Sequence, residues 1–124
     1  MPQHSRDFRK LTVWSKSHEL TLLIYKHTKS FPKEEMYGLT SQMRRSASSV
    51  PTNIAEGCGR GGQVELARFM NIARGSASEL SYQLILASAL QYIDDSVMTD
   101  LADRCEEVKR MIWSYASKLT KTDE

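Results

Sequence analysis

The chain has 124 residues, of which 26% are charged and 40% hydrophobic, and its formal net charge is +2. This composition is typical of a folded globular protein and excludes a disordered chain, while apolar runs such as Leu22–Tyr25 are far shorter than the ~18–20 residues of a membrane span. The N-terminus lacks the apolar segment of a signal peptide, so we expect a cytoplasmic protein that does not contact the membrane.

The first predicted helix covers about residues 11–30. Val13, Leu20 and Ile24 recur at spacings that place them on one helical face. The helix is expected to end near Phe31, because the residue before a proline is driven out of the α-helical region.

The second predicted helix covers about residues 39–56, where apolar residues recur at helical spacing. Pro51 lies inside this pattern. It has no backbone N–H and its ring meets the carbonyl group of the preceding turn, so we expect it to bend or interrupt the helix. Gly57 follows the last residue of the pattern and is predicted to lie just past the helix end.

The third predicted helix, at about residues 63–91, is apolar on nearly every side over the range 80–90. A helix that is apolar all round is buried all round, and one small bundle cannot cover all of it. We therefore expect a homo-oligomer whose subunit interface includes Tyr82, Ile85 and Ala89.

The fourth predicted helix covers about residues 96–120 and follows Asp94, Asp95 and Ser96, whose side chains are favoured at helix N-termini. Short links between long helices favour antiparallel neighbours. The sequence therefore predicts an all-α protein, a single domain over residues 1–124 that folds as an antiparallel up-down four-helix bundle.

No constellation of residues for catalysis or for a cofactor stands out. The Glu-x-x-His pairs that hold di-metal sites inside helical bundles are absent, and His18 and His27 have no neighbouring cysteine cluster that would indicate zinc. No serine or cysteine lies in a motif that places a base beside it. We therefore expect no catalytic residue, no metal and no cofactor, and thus a protein that is not an enzyme.

Residues 57–62 spell the G-x-G-x-x-G pattern of dinucleotide-binding proteins. That pattern requires a strand before it and a helix after it, whereas here a predicted helix comes first. Two interpretations stay open. Either the segment is a flexible connector, or its glycines, Arg60 and the start of the third helix hold an anion.

Polar residues crowd the second predicted helix over the range 42–57, and two uses for them are open. In the first, they form a buried hydrogen-bonded network that ties this helix to its neighbours. Its members are Asn53, Glu56 and Glu79, with Arg44 or Arg45 on the same helix, or Arg74 on the third, as the cation that a buried carboxylate requires. In the second, they form a recognition surface for phosphate.

Three ordered blocks of the sequence resemble one bacterial family. They are Gly38-Leu39-Thr40-x-Gln42-x-Arg44-Arg45, then Ser49-Val50-Pro51-x-Asn53-Ile54-Ala55-Glu56-Gly57-x-Gly59-Arg60, then Phe69-x-x-Ile72-Ala73-x-Gly75-Ser76-x-x-Glu79-Leu80. Over about residues 8–120 the chain is similar to the four-helix-bundle proteins encoded in 23S rRNA intervening sequences, a family that also contains the accessory variability determinant of diversity-generating retroelements. The resemblance implies an antiparallel bundle that assembles into a ring-shaped homopentamer. In the retroelement member, the ring binds nucleic acid and a reverse transcriptase.

Charge is unevenly distributed, since residues 1–74 hold 12 Lys and Arg against 6 Asp and Glu, and residues 75–124 hold 5 against 9. A basic half attracts polyanions. We therefore expect a non-catalytic accessory or scaffold protein that binds RNA, DNA or a nucleic-acid enzyme such as a reverse transcriptase, without reading sequence. The candidate phosphate contacts are Arg44, Arg45, Arg60, Arg68 and Arg74. The alternative is a pure protein–protein assembly module, in which these arginines pair with acidic residues.

Overall fold

Four long helices make up most of the computed structural model, which describes residues 6–122 and their side chains through Leu119. The helices are α1 (Thr12–Thr28), α2 (Leu39–Gly59), α3 (Gln63–Ala89) and α4 (Asp95–Thr122), with short 3₁₀ helices at Phe8–Lys10 and Lys33–Glu35. The part of the chain that the structure describes contains no strand, which confirms the all-α prediction. No helix within it has the length and apolar character needed to cross a membrane.

Consecutive helices pack antiparallel, and α1 also packs against α4. Ser49 of α2 lies opposite Ser76 of α3, with their hydroxyl oxygens 2.8 Å apart, and Ser46 lies opposite Glu79. The residue numbers of the paired positions decrease along α2 as they increase along α3. This is the pairing expected of antiparallel helices. Helices α1 and α3 occupy one diagonal of the bundle, and α2 and α4 occupy the other.

The core lies between the four helices and takes its largest side chains from all of them. Each helix contributes the residues that recur every three or four positions, as the apolar periodicity predicts. The largest fully buried side chains are Leu20, Ile24, Met43, Val50, Ile54, Leu66, Met70, Leu80, Leu84, Leu101, Val108 and Ile112.

Pro51 does not interrupt α2, which runs through it to Gly59, so that part of the sequence-based expectation is wrong. A proline cannot donate to the carbonyl group four residues earlier, which here belongs to Ala47. The hydroxyl of Thr21 on α1 shares its one proton between that carbonyl oxygen, at 3.0 Å, and the Ser17 carbonyl oxygen of its own helix, at 2.8 Å. A neighbouring helix therefore supplies the donor that α2 lacks, and the helix continues.

Gly57 does not end α2 either, because the helix continues for two more residues and is capped at Arg60. Gly61, with φ of 86°, takes the left-handed position past the helix end. Gly57 instead allows close packing, since a Cβ atom there would lie 2.8 Å from Cβ of Phe69 on α3. The missing side chain lets α2 and α3 approach closely.

Candidate functional site

The five arginines predicted to contact phosphate do not form one cluster. Arg44 and Arg45 lie near the start of α2, whereas Arg60 caps its other end and Arg68 lies near the start of α3. At 1.5 Å per residue, Arg45 and Arg60 are separated by about 22 Å along α2. Arg74 lies between the two ends, on α3.

The two arginines near the junction of α2 and α3, Arg60 and Arg68, are paired with carboxylates. Nε of Arg60 donates to the Glu56 carboxylate at 3.0 Å, and Nε of Arg68 donates to the Glu65 carboxylate at 3.0 Å. Both guanidinium groups also lie over the Phe69 ring, 5.0 and 4.5 Å from its centroid. The hydrogen bonds from Arg68 lower the pKa of Glu65. A phosphate that bound here would compete with carboxylates already in place.

The glycine segment after α2 does not form an anion cradle. The cavity beside it has a volume of about 10 Å³ and is lined by Arg6, Gly57, Cys58, Gly61, Gly62, Gln63 and Leu66. That volume is close to what one water molecule requires and is too small for phosphate. Arg60 lines a different depression, which it shares with the Glu56 carboxylate. The anion-holding interpretation of this segment therefore finds no geometry to support it.

Two residues of the predicted network form hydrogen bonds between or beside α2 and α3, but the network is not buried, since Glu79 is exposed and Asn53 half-buried. Asn53 donates from Nδ2 to the carbonyl and hydroxyl oxygens of Ser49, at 2.8 and 2.9 Å, and Ser49 bonds in turn to Ser76 on α3. The Glu79 carboxylate accepts from Ser46 of α2 at 3.0 Å. Asn53 and Glu79 therefore help to join α2 to α3.

Glu56 lies outside this network, contrary to expectation. Its side chain is 50% exposed and pairs with Arg60 in the next turn of the chain. Serine hydroxyl groups link the two helices, one of them to the Glu79 carboxylate, and these two links contain no arginine. A buried salt bridge would have required two charges to leave water, which is costly even when they are paired.

The other end of α2 carries cations without carboxylate partners. Nε of Arg44 donates to the Thr28 hydroxyl at 2.8 Å, and its guanidinium lies 4.8 Å from the centroid of the Tyr25 ring. Arg45 is exposed. Neither arginine forms a salt bridge with any residue in the range 6–122, and the same holds for Arg74 on α3.

Three lysines extend this positive region. Lys26 lies in the last turn of α1, Lys29 caps that helix and Lys33 follows in the α1–α2 connection, all exposed and all without a salt bridge in the described part of the chain. We call these five residues the cationic end: Lys26, Lys29, Lys33, Arg44 and Arg45. Only the arginines were predicted from the sequence. The lysines could have been found by noting that a short connection brings the end of α1 to the start of α2.

The acidic residues nearest the cationic end are partly engaged elsewhere. The Glu35 carboxylate accepts from the backbone N–H of Leu39 at 3.0 Å and from the Tyr92 hydroxyl at 2.9 Å. It therefore caps α2 and ties the α1–α2 connection to the segment after α3. Glu34 is exposed and, together with the exposed Asp94 and Asp95 at the start of α4, carries the opposing charge at this end of the bundle.

A depression opens on the surface of the cationic end. It has a volume of about 360 Å³ and is lined by Tyr25, Met36, Tyr37, Thr40, Ser41, Arg44 and Arg45. Tyr37 lies in the turn before α2 and is 93% exposed. We call this feature the Tyr25–Tyr37 depression.

The predicted interface residues Tyr82, Ile85 and Ala89 lie together on one exposed face of α3. Tyr82 is 61% exposed and Ile85 55% exposed, while Leu80 and Leu84 on the opposite face are fully buried. The range 80–90 is therefore divided between the core and a free apolar surface. Within the described residues nothing covers that surface, which we call the α3 face.

Most acidic residues of the second half of the chain lie on α4, and those beyond its first turn lie away from the cationic end of α2. Asp94 and Asp95 at its start lie at the same end of the bundle as the α1–α2 connection, to which Tyr92 is joined by its hydrogen bond to Glu35. Asp100 pairs with Arg104, and Glu106 pairs with Lys109. Because α4 is diagonal to α2 across the bundle, its carboxylates do not share a face with Arg45.

Histidine, cysteine and acidic side chains do not converge on a metal centre within residues 6–122. No group of three such side chains there is placed to hold a metal ion. Cys58 and Cys105 are buried, and burial raises the pKa of both thiols. A raised pKa disfavours the thiolate that nucleophilic or metal-binding cysteines use.

The chain is similar to known proteins in sequence and in fold. A family model described as 23S rRNA-intervening sequence protein matches residues 9–114, which confirms the resemblance drawn from the three sequence blocks. A solved structure of a protein with unknown function, from the S23 ribosomal protein family of Bacteroides thetaiotaomicron VPI-5482, is similar with a TM-score of 0.77 and 23% identity, over 85% of this chain and 95% of that one. At that identity the likeness concerns the fold alone. No curated protein matches.

Proposed function

This chain belongs to the 23S rRNA-intervening sequence protein family, and from that premise we propose that it is a non-catalytic accessory protein that binds nucleic acid through phosphate contacts. The observation that carries the proposal is the cationic end, where five lysine and arginine side chains lie without a salt bridge in the described residues. Contacts of this kind bind the phosphate backbone and carry no sequence information.

The cationic end favours a polyanion because its cations have no carboxylate partner among the described residues. By contrast, Arg60 and Arg68 beside the glycine segment already contact carboxylates. The same is true of Arg104 and Lys109 on α4. Binding a phosphate at the cationic end breaks no ion pair among the described residues. Each lysine or arginine that neutralises a phosphate releases a condensed counterion, which drives binding.

The α3 face supports a homo-oligomer as the working form of the protein. An exposed cluster of Tyr82, Ile85 and Ala89 on one helix is the kind of surface that association covers. Assembly into a ring, for which five copies is the expectation from the family resemblance, would repeat the cationic end around the ring. Several weak phosphate sites on one particle then act together through a raised effective concentration.

Salt-dependent binding tests the proposal. Labelled RNA and DNA oligonucleotides of equal length and two unrelated sequences are titrated with the protein at about 50 mM salt, where screening is moderate, and fluorescence anisotropy is recorded. All four are expected to bind with similar affinity. If the five cations each contact a phosphate, the affinity falls by a hundredfold or more between about 50 and 200 mM salt. No binding at tens of micromolar protein would overturn the proposal.

A second function rests on the α3 face alone. In this alternative the protein is a pure protein–protein assembly module, and its partner is another copy of itself rather than RNA or DNA. The observation that favours it is that the α3 face is apolar and exposed whether or not phosphate is bound. A stable oligomer that binds none of the four oligonucleotides would support this alternative over the first function.

A further inference from the structure

We propose that the Tyr25–Tyr37 depression stacks an unpaired nucleobase, so that the cationic end binds single-stranded nucleic acid in preference to a duplex. This inference rests on the proposed function, since it names the class of nucleic acid that the same surface takes. Proteins that bind single strands without sequence preference combine cations that follow the backbone with aromatic rings on which bases stack. Both features meet in this depression.

Tyr37 supplies a ring with no role in the fold. It is 93% exposed, in the turn between the 3₁₀ helix Lys33–Glu35 and α2, and takes part in no ring contact or side-chain hydrogen bond within residues 6–122. A large apolar surface held in water gains free energy when a flat, apolar partner covers it. The face of a nucleobase is such a partner.

Tyr25 supplies a second aromatic surface that is already fixed in place. The Arg44 guanidinium lies 4.8 Å from the Tyr25 ring centroid and is held by the hydrogen bond from its Nε to Thr28. Guanidinium planes also stack on unpaired bases. The Arg44–Tyr25 pair therefore forms a rigid wall of the depression, and little side-chain freedom is lost when a base binds against it.

The charges around the depression complement a nucleic-acid strand rather than a neutral aromatic ligand. Arg45 lines the depression itself, and Lys29 and Lys33 lie at the same end of the bundle. The N-terminus of α2 does not provide the attraction, because Glu35 already accepts from the Leu39 N–H there. Side-chain cations are thus left to bind the phosphates that flank a stacked base.

A duplex does not offer this depression the same contact. Its bases are stacked on one another and paired, so only its phosphates can reach the cationic end. Each stacked base contributes enough to change the affinity by about fivefold or more, independently of which base it is. The preference for single strands therefore has its origin in the rings, while the salt dependence has its origin in the cations.

An abasic oligonucleotide separates the two contributions. The wild-type protein is titrated with a labelled thymidine 12-mer and with an abasic 12-mer, which has the same number of phosphates but no bases. The expected result is at least about fivefold tighter binding to the thymidine oligonucleotide. Tyr37→Ala is expected to remove most of this preference and to leave affinity for the abasic oligonucleotide unchanged.

Two further variants serve as controls. Tyr37→Phe retains the ring and is expected to retain the preference. Trp113→Ala removes an exposed aromatic side chain from α4, where it is 59% exposed, and is expected to leave the preference intact. Far-UV circular dichroism confirms that each variant is folded.

The outcomes distinguish this inference from the function on which it rests. Equal binding of the wild-type protein to both 12-mers, or an undiminished preference in Tyr37→Ala, would overturn the stacking site and leave phosphate binding standing. Binding to neither oligonucleotide would overturn the proposed function and the stacking site together.

Discussion

The hydroxyl of Thr21 on α1 donates to the carbonyl oxygen of Ala47 on α2, at 3.0 Å, in the buried interior of the bundle. Ala47 lies four residues before Pro51, and its carbonyl group would accept from the N–H of residue 51 in an uninterrupted helix. The same hydroxyl also donates to the Ser17 carbonyl oxygen in its own helix at 2.8 Å, so its one proton is shared between the two acceptors. One threonine on α1 thus replaces a donor that α2 cannot provide, which makes Thr21 and Pro51 energetically linked positions.

Thr21→Val is predicted to lower the free energy of unfolding by about 1–3 kcal/mol, the usual cost of leaving a buried polar group without its partner. Valine keeps the shape of threonine, so little packing is lost. Urea denaturation followed by circular dichroism measures the change.

Pro51→Ala provides the matched background for that measurement. Alanine restores the N–H that bonds to Ala47, so Thr21→Val should cost distinctly less in this background than in the wild-type protein. The two substitutions are therefore predicted to be non-additive, as expected for residues that share one acceptor. Strictly additive effects would mean that the Thr21 hydroxyl does not serve the Ala47 carbonyl group.

Gly57→Ala is predicted to destabilise the bundle. The new Cβ atom would lie 2.8 Å from Cβ of Phe69 and 3.0 Å from Cδ1 of Leu66, and overpacking of this kind costs about 1–3 kcal/mol. Gly59→Ala is the control, since no atom lies within 4 Å of its added Cβ. That variant should be neutral, or more stable by up to about 1 kcal/mol, because alanine favours the helix. Equal unfolding midpoints for the two variants would contradict the close approach of α2 and α3 at Gly57.

The helices were predictable because their apolar periodicity is long and regular. The expected range 63–91 compares with Gln63–Ala89 in the structure, and 96–120 compares with Asp95–Thr122. The errors fall on α2, where Pro51 and Gly57 suggest breaks that do not occur. At Pro51 a residue of another helix, Thr21, supplies a donor to the carbonyl group that proline leaves without one, and at the helix end Gly61 rather than Gly57 takes the left-handed position.

The candidate site was less predictable than the fold. The pairing of Arg60 with Glu56 and of Arg68 with Glu65 follows from spacings of four and three along helices and could have been anticipated from sequence. That Lys29 and Arg45 lie at the same end of the bundle follows from the short connection between α1 and α2. The contacts of Arg44 with Thr28 and Tyr25 could not have been anticipated, because they depend on how α1 packs against α2.

Asp94 is predicted to make α4 sensitive to acid. Its carboxylate accepts from the Val97 N–H and the Ser96 hydroxyl, each at 2.9 Å, and the backbone hydrogen bond is the main cause of its lowered pKa. A carboxyl whose pKa is lower in the folded than in the unfolded state stabilises the fold when it is ionised. This stabilisation is fully present at pH values above the pKa of the unfolded state, ~3.9. It is lost as the pH falls through the pKa of the folded state.

Asp94→Asn keeps an acceptor for the helix N-terminus but cannot titrate. The wild-type protein is therefore predicted to be the more stable of the two near neutral pH, with a difference that narrows below about pH 4. Urea midpoints of both proteins at several pH values test this. A difference that stays constant through the acid range would contradict the role assigned to the charge of Asp94.

Ile85→Glu is predicted to lower the assembly state, because an unpaired charge buried in an apolar contact is costly. Ile85 is 55% exposed on the α3 face, and Leu22 is 57% exposed on α1, which is diagonal to α3. Leu22→Glu is therefore a control of equal exposure and equal chemistry on a different surface. Light scattering at micromolar concentration should find an oligomer for the wild-type protein and Leu22→Glu, and a smaller species for Ile85→Glu. A wild-type monomer would contradict the interface.

The position of the phosphate contacts can be tested with two double variants that remove the same charge. Lys29→Gln with Arg45→Gln neutralises two residues of the cationic end, and Arg60→Gln with Arg68→Gln neutralises two residues that already pair with Glu56 and Glu65. The two locations are about 22 Å apart along α2, which exceeds the Debye length of about 10 Å near 0.1 M salt. Each pair of substitutions therefore reports on its own end of the bundle.

Loss of the Lys29 and Arg45 charges is predicted to weaken binding to every oligonucleotide alike and to reduce the slope of log affinity against log salt by up to about 2, as two counterions fewer are released. Loss of the Arg60 and Arg68 charges should change that slope by less, because these cations must leave a carboxylate before they can contact a phosphate. Anisotropy titrations at several salt concentrations give both slopes, and circular dichroism verifies the fold of each variant. A larger effect from the Arg60 and Arg68 pair would move the binding surface to the glycine end of α2 and would contradict the cationic end as the site.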